Sequence, residues 1–560
     1  MFLKTTRSGK YEYVQLVESI WENGKSVHRV RLNLGRKDEI VDNPQWQTLA
    51  RKLAVLTGID LPPSSDSNLL TELALSEGEI LNWGYLVYRK LWRSLHLDEE
   101  LRNIQAQTKA AFALDDATFL MVLHHLLCPG SKLNAFEQQK RYVGLPEIEL
   151  QHLYRALDVL CEHKETLEES LFYQNYNLLN LEIDVVFYDV TTFAFQSTSI
   201  DGLRNFGYSK DGKFNEVQVV LGMFIDKTGC PIGYELFSGN TFDSKTLTTA
   251  LAALKQRFGI RRVIIVADRG INSKLNLKAI TDAGYGYIMA SRLKSLPTDM
   301  KQEALDLEGF QTLTWHTEDG EPVAVRYKTL PYTNIVREGR VEVARLEESL
   351  LVTHSQKRAQ KDATDRQRLL LKAKRLLDTP ALLQGNLKRG GRKYIKATRK
   401  AHTTYSLDQT AVERDMLWDG YYAIQTSEMD LTPEKVLEAY HTQWKIEESF
   451  RIMKSALEVR PIYHWTETRI KGHLVVCFLA FLLERKLEQR LRNNHLHISP
   501  FGICEALNQL TVTRSTLDGI PIYLKSKPSQ SAAQILRAMK LPQPKTVAFE
   551  STWIDICSGR

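Results

Sequence analysis

Hydrophobic and polar positions alternate at the start of the chain and then change to helical spacing. Over residues 11–35 the alternation flanks an Asn-Gly pair at 23–24, a pattern typical of a β-hairpin. Over 77–180 the apolar positions recur at helical spacing with few breakers, which predicts an all-helical block. The stretch 62–67, rich in Pro and Ser, predicts a linker between the two.

Strand-like apolar runs begin at Leu181 and alternate with amphipathic stretches as far as Ala290. The predicted order is β-β-β-α-β-α-β, with strands at 184–189, 216–225, 231–237, 262–268 and 285–290 and helices at 244–258 and 273–283. Three consecutive strands followed by βα units indicate a mixed sheet flanked by helices, so the predicted fold class is multidomain α/β. In such a sheet the ends of neighbouring strands bring side chains together.

About 120 residues separate this region from the next strand-like run, at 420–425, and a connection of that length predicts an insertion with structure of its own. Thr432 followed by Pro433 is typical of a helix N-cap with proline at the first helical position. We therefore expect a helix to begin at Pro433 and to continue past residue 450.

Length and apolar content exclude a single small domain and a membrane protein. A chain of 560 residues is too long for one core, so several domains are expected. The longest apolar run, 474–483, is shorter than the roughly 20 residues that a membrane span needs, and the N-terminus has no apolar signal core. These features predict a cytoplasmic protein.

The six cysteines show no Cys-x-x-Cys motif and no Cys/His ligand spacing, so we interpret them as buried free thiols and predict neither a zinc site nor a disulfide. The pair His124-His125 is interpreted as packing. For His464 and His473 ordinary packing or capping is the first interpretation, although His464 could approach DNA.

Positive charge is concentrated in one segment. The chain carries +7 overall, but residues 355–400 contain fifteen Lys or Arg and three Asp, a local charge of +12 that leaves −5 for the rest. A solvated helix face or a loop would explain such a run, and so would contact with phosphates. For the second alternative the candidate residues are Lys388, Arg389, Arg392 and Lys393.

Three acidic residues stand at the ends of predicted strands or on the predicted helix: Asp189, Asp268 and Glu447. Burying an unpaired carboxylate is unfavourable, and a bound cation neutralises it. Turn formation and local hydrogen bonding are the alternatives for each aspartate. Asp184 is the weaker candidate because its side chain points to the opposite strand face from Asp189.

Hard oxygen ligands from two strands and one helix suit Mg²⁺, with Mn²⁺ as a substitute, and do not suit zinc. Two such ions about 3.5–4 Å apart support in-line displacement at phosphorus without a covalent protein nucleophile. We therefore expect a pair of Mg²⁺ ions bound by the three carboxylates.

The helix predicted from Pro433 carries a polar stripe if it advances about 100° per residue. Its members are Tyr440, Gln443, Glu447, Arg451 and Lys454. A solvated face would produce the same pattern. Trp444 flanks the stripe, where an aromatic side chain is more often part of a core than a platform for a base.

These residues resemble those of bacterial insertion-sequence transposases of the Asp-Asp-Glu (DDE) type. Tyr440, Glu447 and Lys454 fall at the spacing of the Tyr-(2)-Arg-(3)-Glu-(6)-Lys signature of the insertion-sequence-four superfamily, with Gln443 in place of Arg. The amide of Gln443 can bond a phosphate oxygen but supplies no charge.

Two further blocks carry the resemblance in the same order. Asp189-Val-Thr191-Thr192 is similar to the segment around the first family aspartate, and Asp268-Arg269 is similar to that around the second. Segments 460–464 and 470–473 are similar to a subgroup pattern downstream of the glutamate. The similarity covers roughly 181–484.

The resemblance implies a ribonuclease-H-like catalytic fold, hydrolysis of transposon ends to a 3′-hydroxyl, and joining of that hydroxyl to target DNA. It implies double-stranded DNA as partner, in the form of terminal inverted repeats and target, and a homodimer on that DNA in the bacterial nucleoid. The residues that would contact DNA are Thr191, Arg269, Tyr440, Gln443, Trp444, Arg451 and Lys454.

The predicted division of the chain into domains follows from these assignments. It consists of a β-rich unit at 1–66, a helical DNA-binding domain at 67–180, the catalytic domain at 181–294 and 416–485, the insertion domain at 295–415 and a helical tail at 486–560. The competing functions are a non-catalytic DNA-binding regulator derived from a transposase and a metal-dependent nuclease of the same fold. The hypothesis of a structural protein without catalytic or DNA-binding function does not explain the acidic strand ends or the basic segment.

Overall fold

Two structural units divide the chain, one comprising Met1–Asn175 with Ser449–Arg560 and the other Tyr176–Glu448. The structure, a computed structural model, describes residues 2–558 apart from 23–24, 42, 58–78, 176–181, 209–214, 259–261, 269, 317–321, 379–389, 400–402, 456, 458–461 and 518–519. The predicted turn at 23–24 and linker at 62–67 lie outside the described residues. Among the helices that are described, none has the length and apolarity to cross a bilayer.

An antiparallel sheet of three strands opens the first unit: β1 (Phe2–Ser8), β2 (Tyr11–Glu22) and β3 (Lys25–Arg36). Two helices follow, α1 (Lys37–Val41) and α2 (Pro44–Leu56). The predicted hairpin is confirmed as β2 and β3. The strand β1 was not predicted.

Helices dominate the next part of the same unit, as the apolar spacing predicts. The elements are β4 (Glu79–Asn82), α3 (Leu86–Ser94), α4 (Leu97–Ala106), α5 (Leu114–Leu127), α6 (Lys132–Gln138), α7 (Leu150–Glu162) and α8 (Lys164–Asn175), with a 3-10 turn at Gln139–Arg141. Nearly every residue of α5 is buried, because its apolar positions cover all its faces.

The second unit is built on a nine-stranded sheet flanked by helices, in agreement with the predicted α/β class. Its first elements are β5 (Glu182–Ala194), β6 (Gln218–Asp226), β7 (Pro231–Ser238), α9 (Asp243–Phe258), β8 (Arg262–Ala267), α10 (Lys274–Asp282) and β9 (Gly286–Ala290). Strands β7, β6 and β5 form an antiparallel meander, and β8 and β9 then continue parallel to β5. Three antiparallel strands extended by two parallel ones form the ribonuclease-H-like arrangement.

The strands that follow 295 join the same sheet. The remaining elements of the second unit are α11 (Thr298–Leu305), β10 (Gln311–His316), β11 (Pro322–Glu338), β12 (Val341–His354), α12 (Gln356–Asp378), β13 (Ile395–Arg399), β14 (Thr403–Leu407), α13 (Gln409–Met416), β15 (Tyr421–Thr426) and α14 (Pro433–His441). The full order is β10-β11-β12-β15-β9-β8-β5-β6-β7, so β10–β12 extend the sheet beyond β15. Only β13 and β14 form a separate two-stranded sheet within this described stretch.

The helix α15 (Trp444–Ser455) contains the boundary between the units, and the chain then returns to the first unit. Its last elements are α16 (Glu467–Arg492), α17 (Pro500–Asn508), β16 (Thr511–Leu517), β17 (Ile520–Lys525), α18 (Gln530–Ala538), β18 (Val547–Phe549) and α19 (Glu550–Ser558). Helix α16 is central and packs on α3, α5 and α7. At Gly472 any side chain would meet the Leu157 carbonyl oxygen at 2.0 Å, so only glycine permits this approach of α16 to α7.

The helical tail predicted at 486–560 is wrong in part, because this region contributes three strands to a sheet of order β18-β17-β16-β4. The run from Thr511 to Thr516 is rich in β-branched residues, and Asp518-Gly519 is a hairpin signal in the sequence. Burial of Val512 and Ile522 in this sheet is consistent with that alternation.

Candidate active site

Asp189 lies inside β5 and not at its end, because β5 continues to Ala194. The pairing changes at this point, however. The parallel pairing with β8 ends at Tyr188↔Ala267, and beyond it β5 pairs only with β6. Asp189 is half-buried, and its Oδ1 accepts a hydrogen bond of 2.7 Å from the Val190 amide. The carboxylate therefore stands where the sheet opens between β5 and β8.

Asp268 is the residue directly after β8 and is exposed. Its carbonyl oxygen accepts a hydrogen bond of 3.1 Å from the Ile271 amide, which closes a turn after the strand. Because Tyr188 and Ala267 are register partners, Asp189 and Asp268 are the next residues on two parallel strands that lie about 4.8 Å apart. Two of the three predicted carboxylates are thus neighbours at one edge of the sheet.

A further carboxylate near this edge, Asp243, escaped the sequence analysis. Asp243 is the first residue of α9, and its Oδ2 lies 4.0 Å from where a Cβ on Gly270 would be. Burial raises the pKa of Tyr188, and the charges of Asp189 and Asp243 raise it further, so both carboxylates lie within electrostatic reach of that hydroxyl. In sequence, Asp243 looks like an ordinary acidic residue of a first helical turn, which gave no reason to select it.

Glu447 belongs to a second, separate helix. The predicted N-cap is confirmed, since the Thr432 side chain accepts a hydrogen bond from the Lys435 amide, but α14 ends at His441 and α15 starts at Trp444. At the break the Gln443 amide donates to the Tyr440 carbonyl and the Lys445 amide to the Thr442 carbonyl, both over three residues. The single continuous stripe predicted from Tyr440 to Lys454 is therefore wrong.

One contact relates the helix of Glu447 to the sheet. The Lys445 ammonium donates a hydrogen bond of 3.2 Å to the carbonyl oxygen of Lys227, in the turn between β6 and β7. Asp226, before that turn, is the register partner of Val186, three residues ahead of Asp189. Exposed Glu447 therefore lies in the first turn of a helix that is anchored to the turn after β6, the strand next to β5.

The three carboxylates do not form a closed ligand cluster in this structure. Among the described residues, the one set of three His, Cys, Asp or Glu whose ligand atoms all lie within 4.8 Å of one another is His125, His473 and Cys477. Sequence analysis treated those residues as packing. The spacing of His473 and Cys477, four residues apart on one helix, was the signal that it overlooked.

The residues predicted to contact DNA differ in accessibility. Thr191 and Gln443 are buried, with 3% and 8% of their surfaces exposed. Tyr440 is half-buried, and its hydroxyl is hydrogen-bonded to that of Tyr422. Arg451 is exposed and Lys454 half-buried, and both follow the unit boundary in α15. Arg269 lies outside the described residues, as does the side chain of Trp444.

The described part of the basic segment is mostly the long helix α12 (Gln356–Asp378). Lys388 and Arg389 lie outside the described residues, and Arg392 is half-buried. Lys393 forms an ion pair of 2.6 Å with Asp415, which also accepts from Lys294 and from the Tyr394 hydroxyl. Lys393 thus fastens the 3-10 turn Gly390–Tyr394 to α13.

Five exposed cations on α12 have no such partner among the described residues. The structure gives no ion pair to the described side chains of Lys357, Lys361, Lys372, Lys374 and Arg375, all exposed. In contrast, Arg366 pairs with Asp419. The guanidinium of Arg358 lies 4.4 Å above the ring of Tyr422, whose hydroxyl contacts Tyr440, so α12 is linked to α14. A cavity of about 450 Å³ beside these contacts is lined by Arg358, Arg366, Tyr394 and Tyr422, among other residues.

Comparison with known proteins addresses the identity of the chain. Residues 180–483 match the transposase DDE domain, and residues 3–60 match the N-terminal domain of the IS1634 family of transposases. One similar solved structure is the piggyBac transposase synaptic complex with hairpin DNA, with a TM-score of 0.34, 8% identity, and 86% of this chain and 87% of that one covered. None of the curated proteins matches. Since the DDE domain accounts for more than half of the chain and contains Asp189, Asp268 and Glu447, the chain belongs to the DDE transposases.

Proposed function

We propose that the protein cleaves the ends of an insertion sequence and joins the resulting 3′-hydroxyl to target DNA, with Asp189, Asp268 and Glu447 as ligands of two Mg²⁺ ions. The observation that carries the proposal is the register of Tyr188 with Ala267, because it makes Asp189 and Asp268 neighbours where β5 and β8 part. The anchoring of α15 at the β6–β7 turn supports the inclusion of Glu447.

The donor set fits hard divalent cations. All three groups are carboxylates, each exposed or half-buried, so water and a phosphate can complete the shell of an ion. The ligands of two ions about 3.5–4 Å apart are spread over a larger distance than the ligands of a single ion. Three carboxylates that share two ions therefore need not lie as close to one another as three ligands of one ion. Mn²⁺ has the same ligand preference and is expected to substitute.

Bound ions would activate a water or a 3′-hydroxyl as the nucleophile and would stabilise the leaving oxygen. The contribution of the chain is to hold its three carboxylates in fixed positions. Tyr188 contributes to this, since its buried hydroxyl donates to the Thr246 hydroxyl at 2.9 Å and fixes β5 to α9 directly beside Asp189. Asp243 adds negative charge to the same edge and favours cation binding there.

Helix α12 is the surface that we propose for DNA phosphates, because five exposed cations there have no ion-pair partner among the described residues. The link from Arg358 through Tyr422 to Tyr440 supports a shared role for α12 and α14. We also propose DNA contact for Lys454, as the insertion-sequence-four signature implies, and for exposed Arg451 as a replacement for the charge that Gln443 lacks. The burial of Gln443 and Thr191 favours a positioning role for both.

A homodimer on DNA is part of the proposal. An insertion sequence has two ends and each chain has one set of the three carboxylates, so two chains would serve the two ends. In a bacterial cell this places the protein on the nucleoid. Sedimentation of the protein with terminal-repeat DNA, compared with free protein, tests the dimer.

The test is cleavage and strand transfer on terminal inverted repeats in Mg²⁺ by Asp189→Ala, Asp268→Ala and Glu447→Ala. Each variant is expected to keep end binding and to lose both reactions. Asp299→Ala, an exposed aspartate at the start of α11, is the matched control and should retain full activity. Full cleavage by all three variants would end the proposal.

The products of the cleavage and strand-transfer assay distinguish a transposase from the alternative functions. A non-catalytic regulator would bind the ends and leave them uncut with any divalent ion. A nuclease of the same fold would cut but would give no joined product with target DNA. The match of the chain to the DDE domain and the presence of all three carboxylates favour the transposase.

A further inference from the structure

The helical unit contains a buried group of Lewis bases that the transposition chemistry does not use. His125 is near the end of α5, and His473 and Cys477 are on α16. Their exposed fractions are 1%, 4% and 0%, and one ligand atom from each lies within 4.8 Å of the other two. Nitrogen and sulfur ligands of this kind select zinc and similar transition metals and are poor ligands for Mg²⁺.

Helical geometry brings two of the three bases together. His473 and Cys477 are four residues apart on α16 and therefore share one face. The Cys477 Sγ lies 3.5 Å from the His473 Nε2. In a tetrahedral zinc site with Zn–S of about 2.3 Å and Zn–N of about 2.0–2.1 Å, the S···N edge is about 3.6 Å. The spacing of these two atoms is thus that of two ligands of one ion.

His125 is oriented as metal ligands usually are. Its Nδ1 lies 3.0 Å from the Leu457 carbonyl oxygen, which can only accept a hydrogen bond, so Nδ1 carries the proton. The lone pair is then on Nε2, the nitrogen that lies beside Lys132. A ring nitrogen that donates to a backbone carbonyl while the other binds the metal is the usual outer-shell arrangement for histidine.

A lysine completes the group. The Nζ of Lys132, on α6, lies 3.2 Å from the His125 Nε2, and the side chain is 4% exposed. Among the described residues the structure gives Lys132 no carboxylate partner. The Lys132 nitrogen is therefore placed beside the three bases as a fourth candidate ligand.

We propose that Cys477, His473, His125 and Lys132 bind one zinc-type transition-metal ion that fastens α5, α6 and α16 together. Binding releases the thiol proton of Cys477 and the ammonium proton of Lys132, so that a thiolate, two imidazoles and an amine face the ion. Through the hydrogen bond from His125 the site also holds Leu457, two residues after the end of α15. The role is structural and independent of the carboxylates at 189, 268 and 447.

A metal-free hydrogen-bond network is the competing explanation for the same contacts. There the Cys477 thiol would donate to the His473 imidazole and the Lys132 ammonium to the His125 imidazole, as the 3.5 and 3.2 Å separations also permit. The two explanations make different predictions for a thiophilic metal ion. A metal site would bind the ion, and a hydrogen-bond network would not.

The experiment is a Co²⁺ titration of the full-length chain after treatment with a chelator, in excess Mg²⁺ to occupy the carboxylate site. One Co²⁺ per chain should bind, with a thiolate-to-cobalt charge-transfer band and tetrahedral ligand-field bands that Zn²⁺ abolishes. The absence of these bands at saturating Co²⁺ would overturn the proposal. This readout requires neither DNA nor activity, so it is unaffected by failure of the proposed function.

Variants assign the ligands. Cys477→Ser should abolish the charge-transfer band, and His473→Gln should weaken Co²⁺ binding by more than about 100-fold, since outer-shell changes alone weaken metal sites 10–100-fold. Cys161→Ser on α7 is the matched control and should retain the spectrum. A spectrum that persists in Cys477→Ser overturns the assignment. If circular dichroism shows that Cys477→Ser does not fold, the wild-type titration decides alone.

Discussion

Tyr188 and Ala267 are register partners in the parallel pairing of β5 with β8, and each is followed by an aspartate. The apolar part of each strand fixes this register, because Val186, Phe187, Ile265 and Val266 are fully buried. A shift by one residue would move these side chains to the opposite faces of the sheet. The proximity of Asp189 to Asp268 therefore depends on core packing as well as on the site itself.

Gly222 tests that dependence. It lies in β6, opposite Val190 of β5. A Cβ at this position would lie 2.2 Å from the Tyr188 hydroxyl and 2.9 Å from Cζ of the same ring. Gly222→Ala should destabilise the protein by about 1–3 kcal/mol, as overpacking of a core does. It should also lower cleavage more than end binding, since Tyr188 adjoins Asp189. Urea unfolding and the Mg²⁺-dependent cleavage assay measure the two effects.

The double variant Gly222→Ala with Tyr188→Phe supplies the control. Tyr188→Phe alone loses the hydrogen bond to Thr246 and should cost about 1 kcal/mol. In combination it removes the atom closest to the new methyl group, so the double variant should be more stable than the sum of the single changes. Strict additivity would mean that Gly222 and Tyr188 do not interact.

A buried carboxylate in the extended part of the sheet predicts a pH dependence of stability. Glu348 on β12 accepts hydrogen bonds from Tyr287, Asn334 and Gln425, and burial raises its pKa to about 7. The folded chain therefore keeps a proton that the unfolded chain releases near pH 4.5. Between these two pH values the unfolded state binds fewer protons than the folded state. The contribution of protonated Glu348 to the free energy of unfolding is therefore complete below about pH 4.5 and is lost as pH rises through 7.

Glu348→Gln removes that titration. Its free energy of unfolding relative to wild type should rise by roughly 1–3 kcal/mol between pH 5 and pH 8. Glu347→Gln, an exposed neighbour on the same strand, is the control and should show no such trend. Glu484 in the other unit, whose pKa burial raises to about 8, leaves a residual slope of the same sign in all three proteins. Parallel curves for Glu348→Gln and wild type would refute this assignment.

The charge of α12 predicts a salt effect on DNA affinity. Replacing Lys357, Lys361 and Lys372 by Gln should reduce the magnitude of the slope of log K against log salt by about 2–3, at about 0.9 for each lost phosphate contact. The matched control replaces Lys255, Lys278 and Lys301, which lie on α9, α10 and α11, and should preserve the slope. Equal slopes in both triple variants would remove α12 from the DNA surface.

The order of elements and the proximity of Asp189 to Asp268 could be predicted because both follow from short-range pattern. The apolar runs before Asp189 and Asp268 mark two buried strands, and strand order brings their ends together. The true end of β5 was missed because the charged Asp189 interrupts the apolar run, whereas the strand continues from Val190 to Ala194 in its pairing with β6. Asp243 was missed because its proximity to Gly270 arises only from packing.

Other parts depend on interactions that local spacing does not encode. The break between α14 and α15 has no Pro or Gly to signal it. His125 and Cys477 are more than 300 residues apart, and only the packing of α16 on α5 brings them together. The basic segment was visible as composition, but which of its cations are neutralised, such as Lys393 by Asp415, depends on the position of α13.

Gln443 is the position where this chain departs from the insertion-sequence-four signature that it resembles, and its burial at the break between α14 and α15 yields the last prediction. Gln443→Arg restores the signature but places a charge where 8% of the native side chain is exposed, so it should destabilise the protein by about 1–3 kcal/mol without increasing cleavage. Gln443→Met, of similar length and without charge, should keep stability within about 1.5 kcal/mol and leave DNA affinity and its salt slope unchanged. Thermal unfolding and a DNA-binding titration on both variants separate positioning from phosphate contact. A gain of cleavage in Gln443→Arg at unchanged stability would assign this position to the DNA surface.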